Sequence, residues 1–204
     1  MRFLLAMLVF ISLPVSSATL TETRIDFTAT IPGLMENGKF IWHEVNSNPA
    51  FPQSVELLQR AFGQWEIPGT AVRFKYGGTA VGPSDHTVHP SKWPITAEHI
   101  VVWTPYLNDN ALGAYTTQKG NYVDPVTGEQ KNYVRSIIMF NSTKSWTNEQ
   151  FMSTALHEIG HVLGFWDYYG SQDQGSTMYW TAVQPRHILS SDVIEEIKKR
   201  SEER

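Results

Sequence analysis

Residues 155–167 read ALHEIGHVLGFWD, and this stretch decides how the rest of the chain is interpreted. His157 and His161 are four residues apart, so on a helix they lie one turn apart on the same face. Two imidazoles placed in this way can bind one zinc ion. Glu158 stands next to the first histidine, where a carboxylate can hold and deprotonate a water molecule on that zinc. The spacing therefore predicts a helix with two zinc ligands and a general base.

The residues after this helix bring a third ligand within reach. Gly164 permits the left-handed turn that ends a helix. Asp167 follows three residues later, and a carboxylate oxygen is an ordinary zinc ligand. We expect Asp167 to complete the site, while His187, the only histidine after the helix, is the alternative third ligand. A bare His-Glu-x-x-His pattern also fits a helix with two surface histidines, and the longer pattern favours the metal site.

The extended motif resembles that of the metzincin clan of zinc metallopeptidases, and within the clan that of the matrixins, the matrix metalloproteinase-like family. The family motif is HExxHxxGxxH followed by a methionine turn, and here HEIGHVLGFWD is followed by STMYW. Four further segments resemble matrixin segments in the same order, namely VELLQRAFGQW (55–65), ALGAYTT (111–117), RSIIMFNSTKSW (135–146) and HILSSDVIEEI (187–197). The resemblance therefore covers about residues 38–198.

This resemblance implies a fold and an activity. The implied fold is an α+β, metzincin-like catalytic domain with a twisted, mostly parallel sheet of about five strands, an active-site helix, a Met-turn and a C-terminal helix. The implied activity is that of a zinc metalloendopeptidase with Glu158 as general base. Its zinc ligands would be His157, His161 and Asp167, and an aspartate in the third position is similar to the snapalysin group. Met178 would form an apolar floor under the ligands.

The two residues after Met178 differ in how they compare with the matrixin pattern. In matrixins the tyrosine directly after the methionine is structural, so for Tyr179 we favour packing over a role in oxyanion stabilisation. Trp180 stands where matrixins usually have proline, so the wall of the pocket beside the scissile bond is expected to differ.

Hydrophobic periodicity and turn residues predict the order strand, helix, several strands, helix, loop, helix. Strands are predicted over residues 38–45, 72–76, 99–103, 111–117 and 133–140, with a long loop at 77–98 and a hairpin turn at 124–128. Helices are predicted from Phe51-Pro52 to about Trp65, from Thr147 to Gly164, and from about Ser191. Thr147 and Gln150 form a capping box. This order indicates one sheet with helices packed against it.

The bulk composition excludes several classes of protein. The chain has 204 residues, of which 41% are hydrophobic, so it can bury the core of one domain. A formal net charge of -4 without a basic block argues against nucleic acid as a partner. The absence of cysteine excludes disulfides, thiolate metal sites and a cysteine nucleophile. We expect a protein or peptide substrate and no stable membrane association.

The N-terminal residues are typical of a signal peptide. Arg2 precedes an apolar run that is too short for a transmembrane helix, and small residues lead up to Ala18. We expect a signal peptide over 1–18, an N-terminal segment over 19–37 and the catalytic domain over 38–204. Cleavage near Ala18 would release the protein to the periplasm or the extracellular space.

The segment 19–37 is a candidate short propeptide. A carboxylate from this segment, with Asp26 the best placed between two apolar residues, can occupy the open position of a zinc site. A solvated tail is the favoured interpretation, because chain termini are usually poorly ordered.

Two polar loops contain weaker metal-binding patterns. A second zinc site would use Asp85, His86 and His89, and a calcium site would use Asn108, Asp109 and Asn110. A solvated loop is favoured for the first group and a turn for the second, since spacing alone is weak evidence and the second group carries a single charge.

Two other classes of function remain open beside the peptidase. One is a non-catalytic secreted module that binds zinc or adheres to a partner on the same fold, and the other is a purely structural secreted domain. Glu158 favours the enzyme, because a carboxylate in that position has no role as a ligand.

Overall fold

The helix that carries the two histidines, α2, spans Asn148–Val162, as its sequence predicts. Its N-cap, Thr147, accepts a hydrogen bond from the backbone N–H of Gln150, and the Gln150 side chain accepts one from the backbone N–H of Thr147. Beyond the other end, Gly164 adopts a left-handed φ of 85°, a conformation that glycine alone adopts freely. The predicted capping box and the predicted stop at Gly164 are both confirmed.

The computed structural model describes residues 35–36, 39–70, 72–80, 82, 88–93, 99–107, 111–123, 127–181 and 185–202. Its other elements are β1 (Met35–Glu36), β2 (Lys39–Val45), α1 (Ser54–Trp65), β3 (Phe74–Ala80), β4 (His99–Thr104), β5 (Gly113–Val123), β6 (Gln130–Asn141) and α3 (Ser191–Glu202). Among the described residues, none of the helices has the length and apolar character that a membrane span requires.

The strands form one sheet in the order β3-β2-β4-β6-β5, and the two-residue β1 adds an antiparallel pairing at the start of β2. The pairs β2–β3, β2–β4 and β4–β6 are parallel, and β5 is antiparallel to β6. The predicted α+β class and the mostly parallel sheet of about five strands are therefore confirmed. β5 is at the edge of the sheet, directly before the chain passes through β6 to α2.

The sheet is buried on both faces, and the three helices cover one of them. The core on that face includes Trp42, Leu58, Phe62, Trp103, Phe140, Phe151, Ile159 and Val193. Trp65 on α1 also donates a hydrogen bond from Nε1 to the carbonyl of Leu156 on α2, at 3.1 Å. The opposite face buries Ile100, Val102, Ile137, Met139 and Trp93. Burial on both faces explains the unbroken apolar run of β4, since a covered parallel strand needs no polar face.

Several predicted boundaries are wrong. α1 begins at Ser54 rather than at Phe51-Pro52, because Pro52 lies in a turn where Ser54 N–H donates to the Phe51 carbonyl. The first residues of the predicted loop at 77–98 belong to β3, where Thr79 and Ala80 pair with β2 despite the preceding glycines. β5 and β6 extend to Val123 and back to Gln130, because the hairpin remains paired throughout its polar part.

Some predictions concern residues outside the described ranges. These are the signal peptide and Asp26, the Asp85 and His86 pair, the calcium candidates Asn108, Asp109 and Asn110, and the first part of the hairpin turn, residues 124–126. They stay predictions.

Candidate metal centre

Three side chains on α2 and the following loop bring their ligand atoms together. His157 Nε2 lies 3.1 Å from His161 Nε2, and Asp167 Oδ1 lies 3.0 Å and 3.5 Å from these two nitrogens. A tetrahedral zinc with bonds of about 2.0–2.2 Å separates its ligand atoms by about 3.3–3.6 Å. The triangle is therefore within a few tenths of an ångström of the size that zinc requires. Among the described residues, these three are the one such His/Asp/Glu cluster.

Backbone carbonyls set the tautomer of both histidines. His157 Nδ1 lies 3.0 Å from the carbonyl oxygen of Thr177, and His161 Nδ1 lies 2.9 Å from that of Phe165. A carbonyl can only accept, so each Nδ1 carries a proton and each Nε2 is the atom left to bind a metal. This arrangement is the usual one for histidines that bind a metal.

The carboxylate of Asp167 completes a set of three electron-pair donors. Its Oδ1 is buried, and its partners among the described residues are the Nε2 atoms of His157 and His161. The imidazole of His157, and next that of His161, lowers the pKa of this carboxyl below its usual range, so it is ionised at neutral pH. Three converging lone pairs, one of them on an anion, fit a divalent cation. The residues therefore fit zinc, and a bound zinc would coordinate the buried Oδ1 of Asp167.

The turn after α2 delivers Asp167 rather than His187. The N–H of Phe165 donates a hydrogen bond to the carbonyl of Gly160. Gly164, between them, has a left-handed conformation that reverses the direction of the chain. His187 lies elsewhere: its side chain is 55% exposed and its Nε2 lies 3.8 Å from Glu149 Oε1 in the first turn of α2. The structure thus brings the predicted ligand to the site and leaves the alternative ligand at the far end of the helix.

Glu158 is buried beside the ligands without being one of them. Burial raises the pKa of its carboxyl; His157 and His161 lower it, and Asp167 raises it. Its Oε1 and Cγ lie against Gly113 on β5, where a Cβ would be only 2.9 Å and 3.1 Å away. Its Oε2 has no hydrogen-bond donor among the described residues. A carboxylate held in this way is available to take a proton from a water at the metal.

The loop 175–179 lies under α2, and Met178 fills the space there. Met178 is fully buried, and its Sδ would lie 2.2 Å from a Cβ at Gly160, so only glycine allows this contact. Gly160 belongs to the turn of α2 between the two histidines. The predicted apolar floor is therefore formed by Met178 pressing on the helix backbone, in addition to its packing role in the core.

The start of α3 holds this loop in place. Thr177 N–H donates to Ser190 Oγ at 2.8 Å, and Ser190 N–H donates to Thr177 Oγ1 at 2.9 Å. Ser176 Oγ donates to Asp192 Oδ2 at 2.6 Å. Because the Thr177 carbonyl orients His157, these bonds connect α3 to the metal centre.

A cleft of about 350 Å³ opens beside Glu158 and His157. The described residues that line it are Ala111, Leu112, Gly113, Ser153, Thr154, His157, Glu158, Gln174, Ser176, Thr177, Tyr179, Trp180, Thr181 and Arg186. Tyr179 is partly buried in this wall, which fits both packing and contact with a ligand. Trp180, which stands where matrixins usually have proline, lines the cleft, and its side chain is 54% exposed.

Sequence reasoning missed several residues at the site. Tyr169 donates a hydrogen bond from its hydroxyl to Asp167 Oδ2 at 3.3 Å and stacks on Trp180 with ring centroids 6.3 Å apart. Its place two residues after a predicted ligand is the one signal that the sequence offers. Arg186 lies in the cleft because of contacts across the fold, and no local pattern marks it. Gly113 belongs to the segment 111–117 that resembles a matrixin segment, but no pattern indicates that it contacts Glu158.

The remaining histidine candidate, His89, belongs to no metal-binding group within the described residues, which do not include its predicted partners Asp85 and His86. His89 packs against Tyr106, with ring centroids 6.3 Å apart. Among the described residues, no group other than His157, His161 and Asp167 has the spacing of a metal site.

In comparisons with known proteins, neither a family model nor a curated protein matches this chain. Support for a function therefore comes from the motif and from the geometry of its residues.

Proposed function

We propose that the protein is a secreted, zinc-dependent endopeptidase with a metzincin-like catalytic domain similar to that of the matrixins. The observation that carries this proposal is the triangle of His157, His161 and Asp167 with the buried, unliganded Glu158 beside it. Zinc held by these three residues would polarise a water molecule and the substrate carbonyl. Secretion is inferred from the signal-peptide pattern of residues 1–18.

Glu158 performs the proton transfers in this proposal. As a carboxylate it accepts a proton from the attacking water, and as a carboxylic acid it passes that proton to the leaving amine. Its position fits both steps, because its Oε1 faces Gly113 on the wall of the cleft. Burial raises the pKa of Glu158, which makes the carboxylate a stronger base toward water.

The edge strand β5 supports a peptide as the substrate. Its outer side pairs with no described strand, and its first residue, Gly113, lines the cleft together with Ala111 and Leu112, which precede the strand. An extended peptide can pair with such an edge by main-chain hydrogen bonds, independently of its side chains. A substrate bound in this way would pass its backbone along the wall that contains Glu158.

A non-catalytic zinc-binding or adhesive module on the same fold is the second candidate. The retained Glu158 argues against it. Its Oε2 is buried without a donor among the described residues, which costs free energy and gives no ligand to the metal. Such a cost is expected at a catalytic site and has no counterpart in a passive module.

Casein hydrolysis tests the proposal. We expect zinc-loaded protein that begins near Thr19 to cut casein at internal bonds, and a chelator to stop the reaction. Mass spectrometry of the fragments identifies the new termini. A second form that begins at Gly38 shows whether residues 19–37 inhibit the enzyme. A protein that binds zinc and leaves casein intact in both forms would be the non-catalytic module.

A further inference from the structure

Arg186 places a positive charge in the cleft beside the metal centre. Its side chain is partly buried and its guanidinium lies against the loop that contains Met178, 3.6 Å from the position of a Cβ at Gly175. Within the described part of the chain, its hydrogen bond goes to the Gln174 carbonyl at 3.3 Å, and no carboxylate pairs with it. A guanidinium in this position can bind an external anion through its N–H donors.

Two acidic residues of the neighbouring helices have other partners. Glu149 lies 3.8 Å from His187, the residue after Arg186. Asp192 accepts a hydrogen bond from Ser176 at 2.6 Å. The fold therefore presents the Arg186 guanidinium to the cleft without an internal counter-ion in the described residues.

The rest of the cleft wall suits a carboxylate. Ser153, Gln174 and Thr181 line it with hydroxyl and amide groups, which donate hydrogen bonds. Glu158 is the one carboxylate among the described lining residues.

We propose that Arg186 determines substrate specificity by binding a carboxylate on a substrate residue close to the bond that is cut. This inference rests on the proposed function. A guanidinium presents paired N–H donors that match the two oxygens of a carboxylate, so an acidic group is preferred over an isosteric amide. The carboxylate has two sources, namely an aspartate or glutamate side chain within a protein and the free C-terminus of a short peptide.

Matched peptides test the specificity. A sequence that the protein cuts in casein is synthesised with Glu or Gln at each position flanking the scissile bond, and each peptide is made with a free and with an amidated C-terminus. At one position we expect kcat/KM to be about tenfold or more higher for Glu than for Gln, the scale of a hydrogen bond to a charged group. A preference for the free C-terminus alone would identify that carboxylate as the ligand.

Variants of Arg186 connect the preference to this residue. Arg186→Gln should bring the ratio of kcat/KM for the Glu and Gln peptides close to one. Arg186→Glu should cut a peptide with Lys at the same position faster than the Glu peptide. The matched control is Arg60→Gln, which removes an exposed arginine of α1 that does not line the cleft and should keep the wild-type ratio. Equal cleavage of Glu and Gln peptides by the wild type, or a preference that survives Arg186→Gln, would overturn the inference.

Binding separates this inference from the proposed function. Fluorescence anisotropy of matched Glu and Gln peptides taken from the casein sequence, on zinc-loaded Glu158→Gln protein, requires no turnover. Tighter binding of the acidic peptide that disappears with Arg186→Gln supports the inference even if the wild type cuts nothing. A wild type that cuts peptides without regard to acidic groups refutes the inference and leaves the proposed function standing. Failure of both binding and cleavage refutes both.

Discussion

Replacing Glu158 by glutamine is expected to lower the rate of peptide hydrolysis by at least about a hundredfold while zinc and fold are retained. Glutamine has nearly the same shape, so it fits against Gly113, where the Glu158 carboxyl lies. An amide cannot accept and return the proton of the attacking water. Because Glu158 is not one of the three ligands, its loss should leave the zinc affinity nearly unchanged.

Steady-state hydrolysis of casein, zinc content and thermal unfolding together check this expectation. Glu149→Gln is the matched control, since it makes the same chemical change in the exposed first turn of the same helix. It should keep wild-type activity. Activity near wild type in Glu158→Gln would mean that a different residue is the base.

Removing the third ligand is expected to have the second large effect. Asp167→Ala should weaken zinc binding by at least about a hundredfold, because it removes both a ligand atom and the negative charge of the site. His187→Ala should leave zinc affinity unchanged, because that imidazole lies beside Glu149 at the other end of α2. The comparison therefore distinguishes between Asp167 and His187, the two candidates for the third ligand.

Competition with a chromophoric zinc chelator measures both affinities on the same scale. Asp173→Ala is the matched control, as it removes an aspartate from the loop between Asp167 and Met178 without touching the ligand triangle. Equal affinity in Asp167→Ala and wild type, with loss in His187→Ala, would assign the site to His187 instead.

The parts of the site that the sequence predicts are those that local spacing determines. His157, Glu158 and His161 share a helix, and the helix is bounded by a capping box at Thr147 and a left-handed Gly164. Asp167 is only three residues beyond that glycine, so few conformations of the turn are available to it. Short-range rules therefore suffice for the ligand set.

The parts that the sequence does not predict depend on contacts between distant residues. The Ser190 hydroxyl holds Thr177, whose carbonyl orients His157, and nothing in the spacing of these residues indicates the connection. Gly113 receives Glu158 because β5 happens to pass the middle of α2. Such contacts follow from the packing of the sheet against the helix, which a pattern in one segment does not reveal.

For the fold, too, the sequence predicts what local patterns determine and misses what contacts between strands determine. The apolar run of the central strand β4 predicts that strand almost to the residue, because burial on both faces favours uninterrupted hydrophobic residues. The predicted bounds of β2 are also correct to within one residue. The polar part of the β5–β6 hairpin has no such signal, and its strands extend further than the sequence predicts. Cross-strand hydrogen bonds maintain that part of the hairpin, and they leave little trace in the hydrophobic pattern.

The most direct test of the central claim is a zinc titration of the metal-free protein. Chelator-treated protein is supplied with increasing zinc, and bound zinc and casein hydrolysis are measured in the same samples. We predict no hydrolysis without zinc, and a rise in rate that ends at one zinc per chain, the capacity of the His157, His161 and Asp167 triangle. Full hydrolysis by protein that contains no zinc, or one bound zinc without any hydrolysis, would contradict the account.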